Sequence, residues 1–119
     1  HQRARHLEPV AHELGVRLRY GHLHALELED RWPQLVVNTT PAGAADRLAA
    51  ESDPGGSVPL LLDVVYAPWP TPLVAAYQAA GGTVVPGTAM LLHQAAAQVR
   101  LMTGLEPPLE VMRAALAGA

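Results

Sequence analysis

Apolar positions along this chain alternate between two rhythms. Leu7, Val10, Ala11 and Leu14 recur at the three-and-four spacing of one helix face, and Gly15 supplies the stop. The preceding run, His1-Gln2-Arg3-Ala4-Arg5-His6-Leu7, already reads as helix, with no initiating Met and no capping Ser, Thr or Asp before it. It suggests a chain cut from something longer. Val16, Leu18 and Tyr20 alternate with arginines and predict a short strand over Arg17 to Tyr20. Ala25 to Arg31 predicts one acidic helical turn. Leu35-Val36-Val37-Asn38-Thr39 is a compact apolar strand ending in polar residues, and Pro41-Ala42-Gly43 turns the chain behind it.

The second half repeats that rhythm more strongly. Ala44 to Glu51 predicts a short helix and Ser52 to Ser57 a loop. Leu60 to Tyr66 is the strongest strand, apolar on both faces as a central parallel strand is, and Pro68-Trp69-Pro70-Thr71-Pro72 breaks it. Thr71 is suited to cap a helix whose first position is Pro72; that helix runs through Ala80 and closes at Gly81-Gly82. Thr83 to Val85 predicts a third strand, and a long helix follows from Gly87 to about Thr103, with its stop at Gly104. Pro107-Pro108 opens a last helix carrying Leu109, Val111, Met112, Ala115 and Leu116. Strands alternating with helices imply right-handed parallel crossovers and an open α/β sheet.

Composition narrows the class. The chain has 119 residues, half of them hydrophobic, with no Phe, so Ala, Leu and Val must build the core. A formal charge of -3 and a pI near 6.0 give no sign of a nucleic-acid-binding face. The absence of cysteine excludes disulfides and thiolate metal sites. No apolar run approaches the roughly 18 residues of a membrane span, and the polar N-terminus is not a signal peptide. A cytoplasmic location is the expectation. His12-Glu13 lacks the second histidine of a metalloprotease helix, His22 and His24 have no third ligand, and Glu27-Leu28-Glu29-Asp30 reads as a solvated face.

Three strand ends carry polar residues or glycine: Asn38-Thr39-Thr40, Asp63 with Tyr66, and Gly87 with Gln94. In open parallel sheets ligands bind just outside the carboxyl ends of the strands, so these ends define one rim. Met90 and Gln94 lie four apart and project from one face of the first two turns of the long helix. An apolar contact and an amide head therefore face the same space, while Gly87 permits close approach to the backbone. Asp63, in an apolar strand, needs a partner, and a loop amide would serve.

These residues resemble the shikimate dehydrogenase family, specifically the later part of its nicotinamide-cofactor domain. The family's Asn-Ala-Thr-Ser/Pro-x-Gly run is similar to Asn38-Thr39-Thr40-Pro41-Ala42-Gly43. Its Asp-x-x-Tyr-x-Pro-x-x-Thr-Pro-Leu run is matched by Asp63, Tyr66, Pro68, Thr71, Pro72 and Leu73. Its Gly-x-x-Met-Leu-x-x-Gln-Ala run is matched by Gly87, Met90, Leu91, Gln94 and Ala95, with Ala89 where a second glycine is common. Thr103-Gly104 and the early Arg3-Ala4-Arg5-His6-Leu7 extend the likeness, and Pro68 to Pro72 with Leu91-Leu92-His93-Gln94 resembles actinobacterial-type members most.

The resemblance implies a partial Rossmann-like, three-layer α/β fold with a mostly parallel sheet, lacking its first strands. It implies a role in the reversible NADPH-dependent reduction of 3-dehydroshikimate to shikimate. Tyr66 and Gln94 would bind shikimate; Thr40, the backbone of Val64, Gly87 and Met90 would line the nicotinamide half of an NADP site. The family's catalytic Lys–Asp pair, its Gly-rich pyrophosphate loop and its Asn-Arg-Thr loop for the 2′-phosphate have no counterpart in these residues. The expectation is half a cofactor site, no hydride transfer by this chain alone, and self-association through the exposed apolar edge of the Leu35 to Thr39 strand. A quinate- or NAD-using relative and a non-catalytic α/β association module are the alternatives.

Overall fold

The computed structural model describes residues 2–21, 33–51 and 59–117. Three short strands form a parallel sheet in the order β1-β2-β3: β1 (Leu35–Asn38), β2 (Leu60–Asp63) and β3 (Val84–Pro86). Between them lie α2 (Asp46–Glu51) and α3 (Pro72–Ala79). The chain ends with α4 (Gly87–Thr103) and α5 (Leu109–Ala117), and a 3-10 turn (Gln2–Leu7) leads into α1 (Glu8–Glu13) at its start. The α/β class and the parallel sheet expected from the alternating pattern are both present.

Register explains which side of the sheet is filled. Val36, Leu61 and Val84 are aligned across the three strands, so their side chains share one face. Leu61 is fully buried there, packed with Ala45 and Leu48 beside α2 and with Leu73, Val74 and Tyr77 of α3. The next rung, Val37, Leu62 and Val85, faces the other way, and Val37 is 47% exposed. Burying small aliphatic side chains on one face contributes about 25 cal/mol per Å² of apolar surface removed from water.

Helix ends follow the sequence signals closely. Thr71 caps α3, accepting a hydrogen bond from the Val74 N–H at 3.2 Å, with Pro72 at the first helical position. Gly81, at φ +78°, closes the same helix: its N–H donates to the Gln78 carbonyl and the Gly82 N–H to that of Tyr77. A bidentate pair, Arg100 Nε to Glu106 Oε1 at 2.9 Å and Arg100 Nη2 to Glu106 Oε2 at 2.6 Å, spans the turn between α4 and α5. It raises the guanidinium pKa and holds the Glu106 carboxyl below its usual range.

Two expectations require correction. Arg17 to Tyr20 is not a strand; the segment has no regular structure, and Val16 and Leu18 are exposed. Alternation alone cannot form a ladder where no neighbouring strand supplies partners among the described residues. The run at 2–7 is helical as expected, in 3-10 form, and α1 buries none of its residues. The central strand stops at Asp63 instead of Tyr66, because the Asp63 side chain captures the Val65 N–H at 3.0 Å and turns the chain out of the ladder. The acidic turn at 25–31, His22, His24 and the 52–57 loop lie outside the described residues.

Candidate site at the strand ends

The carboxyl ends of β1 and β2 are joined by a buried polar network. Asn38 and Asp63 stand opposite each other in register, on the face that packs against α2 and α3. Asn38 Nδ2 donates to Asp63 Oδ1 at 3.0 Å. The same oxygen accepts from the Val65 N–H at 3.0 Å, and Oδ2 accepts from the Thr71 hydroxyl at 2.8 Å. Asp63 is fully buried, and a buried carboxylate with this many donors is satisfied rather than stranded. The loop amide expected as its partner is found in Val65, and the Asn38 side chain and Thr71 hydroxyl join it.

Directionality in the network is fixed by its backbone donors. The Thr40 N–H can only donate, and it does so to Asn38 Oδ1 at 3.1 Å. That assigns the Asn38 amide, leaving Nδ2 to face Asp63. The Thr40 hydroxyl donates to the same Oδ1 at 2.7 Å, so its lone pairs remain as acceptors. Thr71 accepts from Val74 and passes its own proton to Asp63.

Val64 sits beside this network. Its N–H donates to the Asn38 carbonyl at 3.1 Å, and its own carbonyl turns toward the start of α4. A Cβ added to Gly87 would lie 2.4 Å from the Val64 carbonyl oxygen and 2.7 Å from its carbon. Gly87 is buried, so the missing side chain is space used by the Val64 peptide. The glycine therefore lets the β2 end and the α4 start approach each other, a different use from open access for a ligand.

The remaining candidates are distributed along the rim. Tyr66 is 59% exposed, two residues beyond Val64, and Met90 is half-buried in the first turn of α4. Gln94 is exposed one turn further, where it borders a cavity of about 280 Å³ with Leu91, Ala95, Gln98, Met112 and Leu116, between α4 and α5. Among the described residues neither the Tyr66 nor the Gln94 side chain makes a hydrogen bond, and no bond joins them. The structure thus brings Thr40, Val64 and Gly87 together through Asn38 and Asp63, whereas Tyr66 and Gln94 stand apart with free polar heads. Sequence reasoning singled out Asp63 but not the second role of Thr71 or the amide orientation of Asn38, which depend on the register between β1 and β2 and on where α3 begins. Among the described residues no group of three His, Asp or Glu side chains could hold a metal, and no helix is long and apolar enough to cross a membrane.

Comparison with known proteins gives a consistent result. Residues 87–117, which span α4 and α5, match the model of the shikimate 5'-dehydrogenase C-terminal domain. An NADP(+) shikimate dehydrogenase of Chlorobium phaeovibrioides is 40% identical over 69% of this chain and 31% of its own length. That of Methanothermobacter thermautotrophicus is 34% identical over 92% of this chain and 40% of its own. The crystal structure of Mycobacterium tuberculosis shikimate dehydrogenase is similar with a TM-score of 0.63 and 49% identity, over 72% of this chain and 32% of that one. A shikimate dehydrogenase in complex with NADP+ shares the fold over 93% of this chain and 40% of its own, with a TM-score of 0.70 at 22% identity. The chain spans about a third of the length of the curated relatives it matches. On these matches the chain belongs to the shikimate dehydrogenase family.

Proposed function

We propose that this chain forms the nicotinamide-side half of the active site of an NADP-dependent shikimate dehydrogenase, which interconverts 3-dehydroshikimate and shikimate. The observation that carries the reading is the close approach of the Val64 carbonyl to Gly87, with Thr40 tied to the same strand ends through Asn38 and Asp63. The residues present suit the cofactor's ring. Val64 offers a backbone carbonyl, Thr40 a hydroxyl whose lone pairs are free, and Met90 a soft apolar surface. NADPH, when bound, supplies the hydride.

Tyr66 and Gln94 hold the substrate through its hydroxyl or carboxylate groups. Their side chains make no hydrogen bonds among the described residues, which leaves both polar heads available to a ligand. The groups that move the proton are supplied by another part of the enzyme, so the 119 residues alone are inactive. The test is titration of the full-length enzyme with NADPH and with shikimate. Binding of both, with turnover, is expected; an enzyme that binds neither overturns the reading.

By itself, the chain self-associates. Among the described residues strand β1 pairs only with β2, and Leu35 and Val37 are 51% and 47% exposed along it. An apolar strand with an open ladder on one side is a template for pairing with another copy.

A further inference from the structure

We infer that Asp63 is a positioning residue for the cofactor. It acts through Asn38 to make the Thr40 hydroxyl a hydrogen-bond acceptor for a donor group such as the nicotinamide amide. The inference rests on the functional reading above and assigns a direction to one of its contacts.

Asp63 offers only acceptors to Asn38, Val65 and Thr71. Facing that carboxylate, Asn38 must present its NH2 group, and its carbonyl oxygen is thereby turned toward Thr40. That oxygen takes both the Thr40 N–H and the Thr40 hydroxyl proton, at 3.1 and 2.7 Å. With its only proton engaged, the hydroxyl can offer a ligand nothing but lone pairs. The oxygen of Asp63 that accepts from Asn38 also holds the Val65 N–H at 3.0 Å, which fixes the peptide joining Val64 to Val65. A backbone carbonyl and a hydroxyl acceptor are thus prearranged at adjoining strand ends, each steadied by the same buried carboxylate. Prearranged acceptors favour a ligand group with two N–H bonds over one with none.

The experiment compares two cofactors on the full-length enzyme: NADP+ and its 3-acetylpyridine analogue, which replaces the amide NH2 by a methyl group. Affinities are read by calorimetric titration, independently of turnover, and thermal unfolding is recorded for each variant. The native enzyme is expected to prefer NADP+ by about tenfold, the scale of one to two lost hydrogen bonds. Thr40→Val, which leaves the buried network beneath it in place, reduces that preference severalfold, and Thr40→Ser restores it. Asp63→Ala reduces it too, whereas Asp63→Asn keeps an acceptor for Asn38 and Val65 and retains most of it.

A purely structural Asp63 would lower the unfolding temperature and leave the cofactor ratio unchanged. That result, or an unchanged ratio in Thr40→Val, overturns the inference even if Asp63→Ala fails to fold. Failure of the native enzyme to bind either cofactor instead overturns the functional reading.

Discussion

The Val64 carbonyl oxygen occupies the space where a side chain at Gly87 would begin, 2.4 Å from the position of its Cβ. Backbone stands on one side of this contact and the first turn of a 17-residue helix on the other, so neither partner can yield cheaply. Gly87→Ala therefore pushes the β2 end away from α4. The expected cost is about 1–3 kcal/mol of stability, as for other overpacked sites, read by denaturant unfolding. In the full-length enzyme the same variant raises the KM for NADPH.

Thr71 serves two elements with one hydroxyl, accepting from Val74 and donating to Asp63. Thr71→Val keeps the shape and loses both bonds. The cap is worth about 1 kcal/mol, and a buried Asp63 oxygen left bare adds about 1–3 kcal/mol. Thr71→Ser keeps both bonds and falls close to the native midpoint.

Tyr77 is 3% exposed in the core against α2, and its hydroxyl has no partner among the described residues. Tyr77→Phe is expected to leave stability unchanged or to raise it by up to about 1 kcal/mol. Burial raises the Tyr77 pKa above the ordinary tyrosine value. The unfolded chain therefore loses this proton first, and stability falls as the pH rises above about 10. Alkaline thermal melts of Tyr77→Phe should show a smaller decline than those of the native chain.

The open ladder of β1 makes a prediction about association. Val37→Lys places a charge in the middle of the strand and is expected to shift the isolated chain toward monomer. Light scattering across a concentration series reads this directly. A native chain that stays monomeric at high concentration contradicts the proposed self-association.

Much of this architecture was legible because local signals and burial agree. Thr71-Pro72 opens α3 and Gly81-Gly82 closes it, while the all-apolar Leu60-Leu61-Leu62 forms the central strand. What misled was alternation without a partner: Val16, Leu18 and Tyr20 have the period of a strand, but a strand exists only as half of a pair. The site was legible as a set of strand-end residues and illegible in its connections. Nothing local in Asn38 or Thr71 reveals that both bond one carboxylate, because that depends on register between β1 and β2 and on where α3 begins. Gly87 illustrates the same limit: the sequence shows a glycine at a helix start, and only the fold shows that another peptide fills the space.

We propose that Tyr66 and Gln94 bind substrate in a site whose nicotinamide side is built around Val64 and Gly87. Steady-state kinetics of Tyr66→Phe and Gln94→Ala in the full-length enzyme test it most directly. Each is expected to lower kcat/KM for shikimate by about 3- to 10-fold, the scale of one lost hydrogen bond, with the KM for NADP+ and the unfolding temperature unchanged. Native kcat/KM for shikimate in both variants would contradict the account.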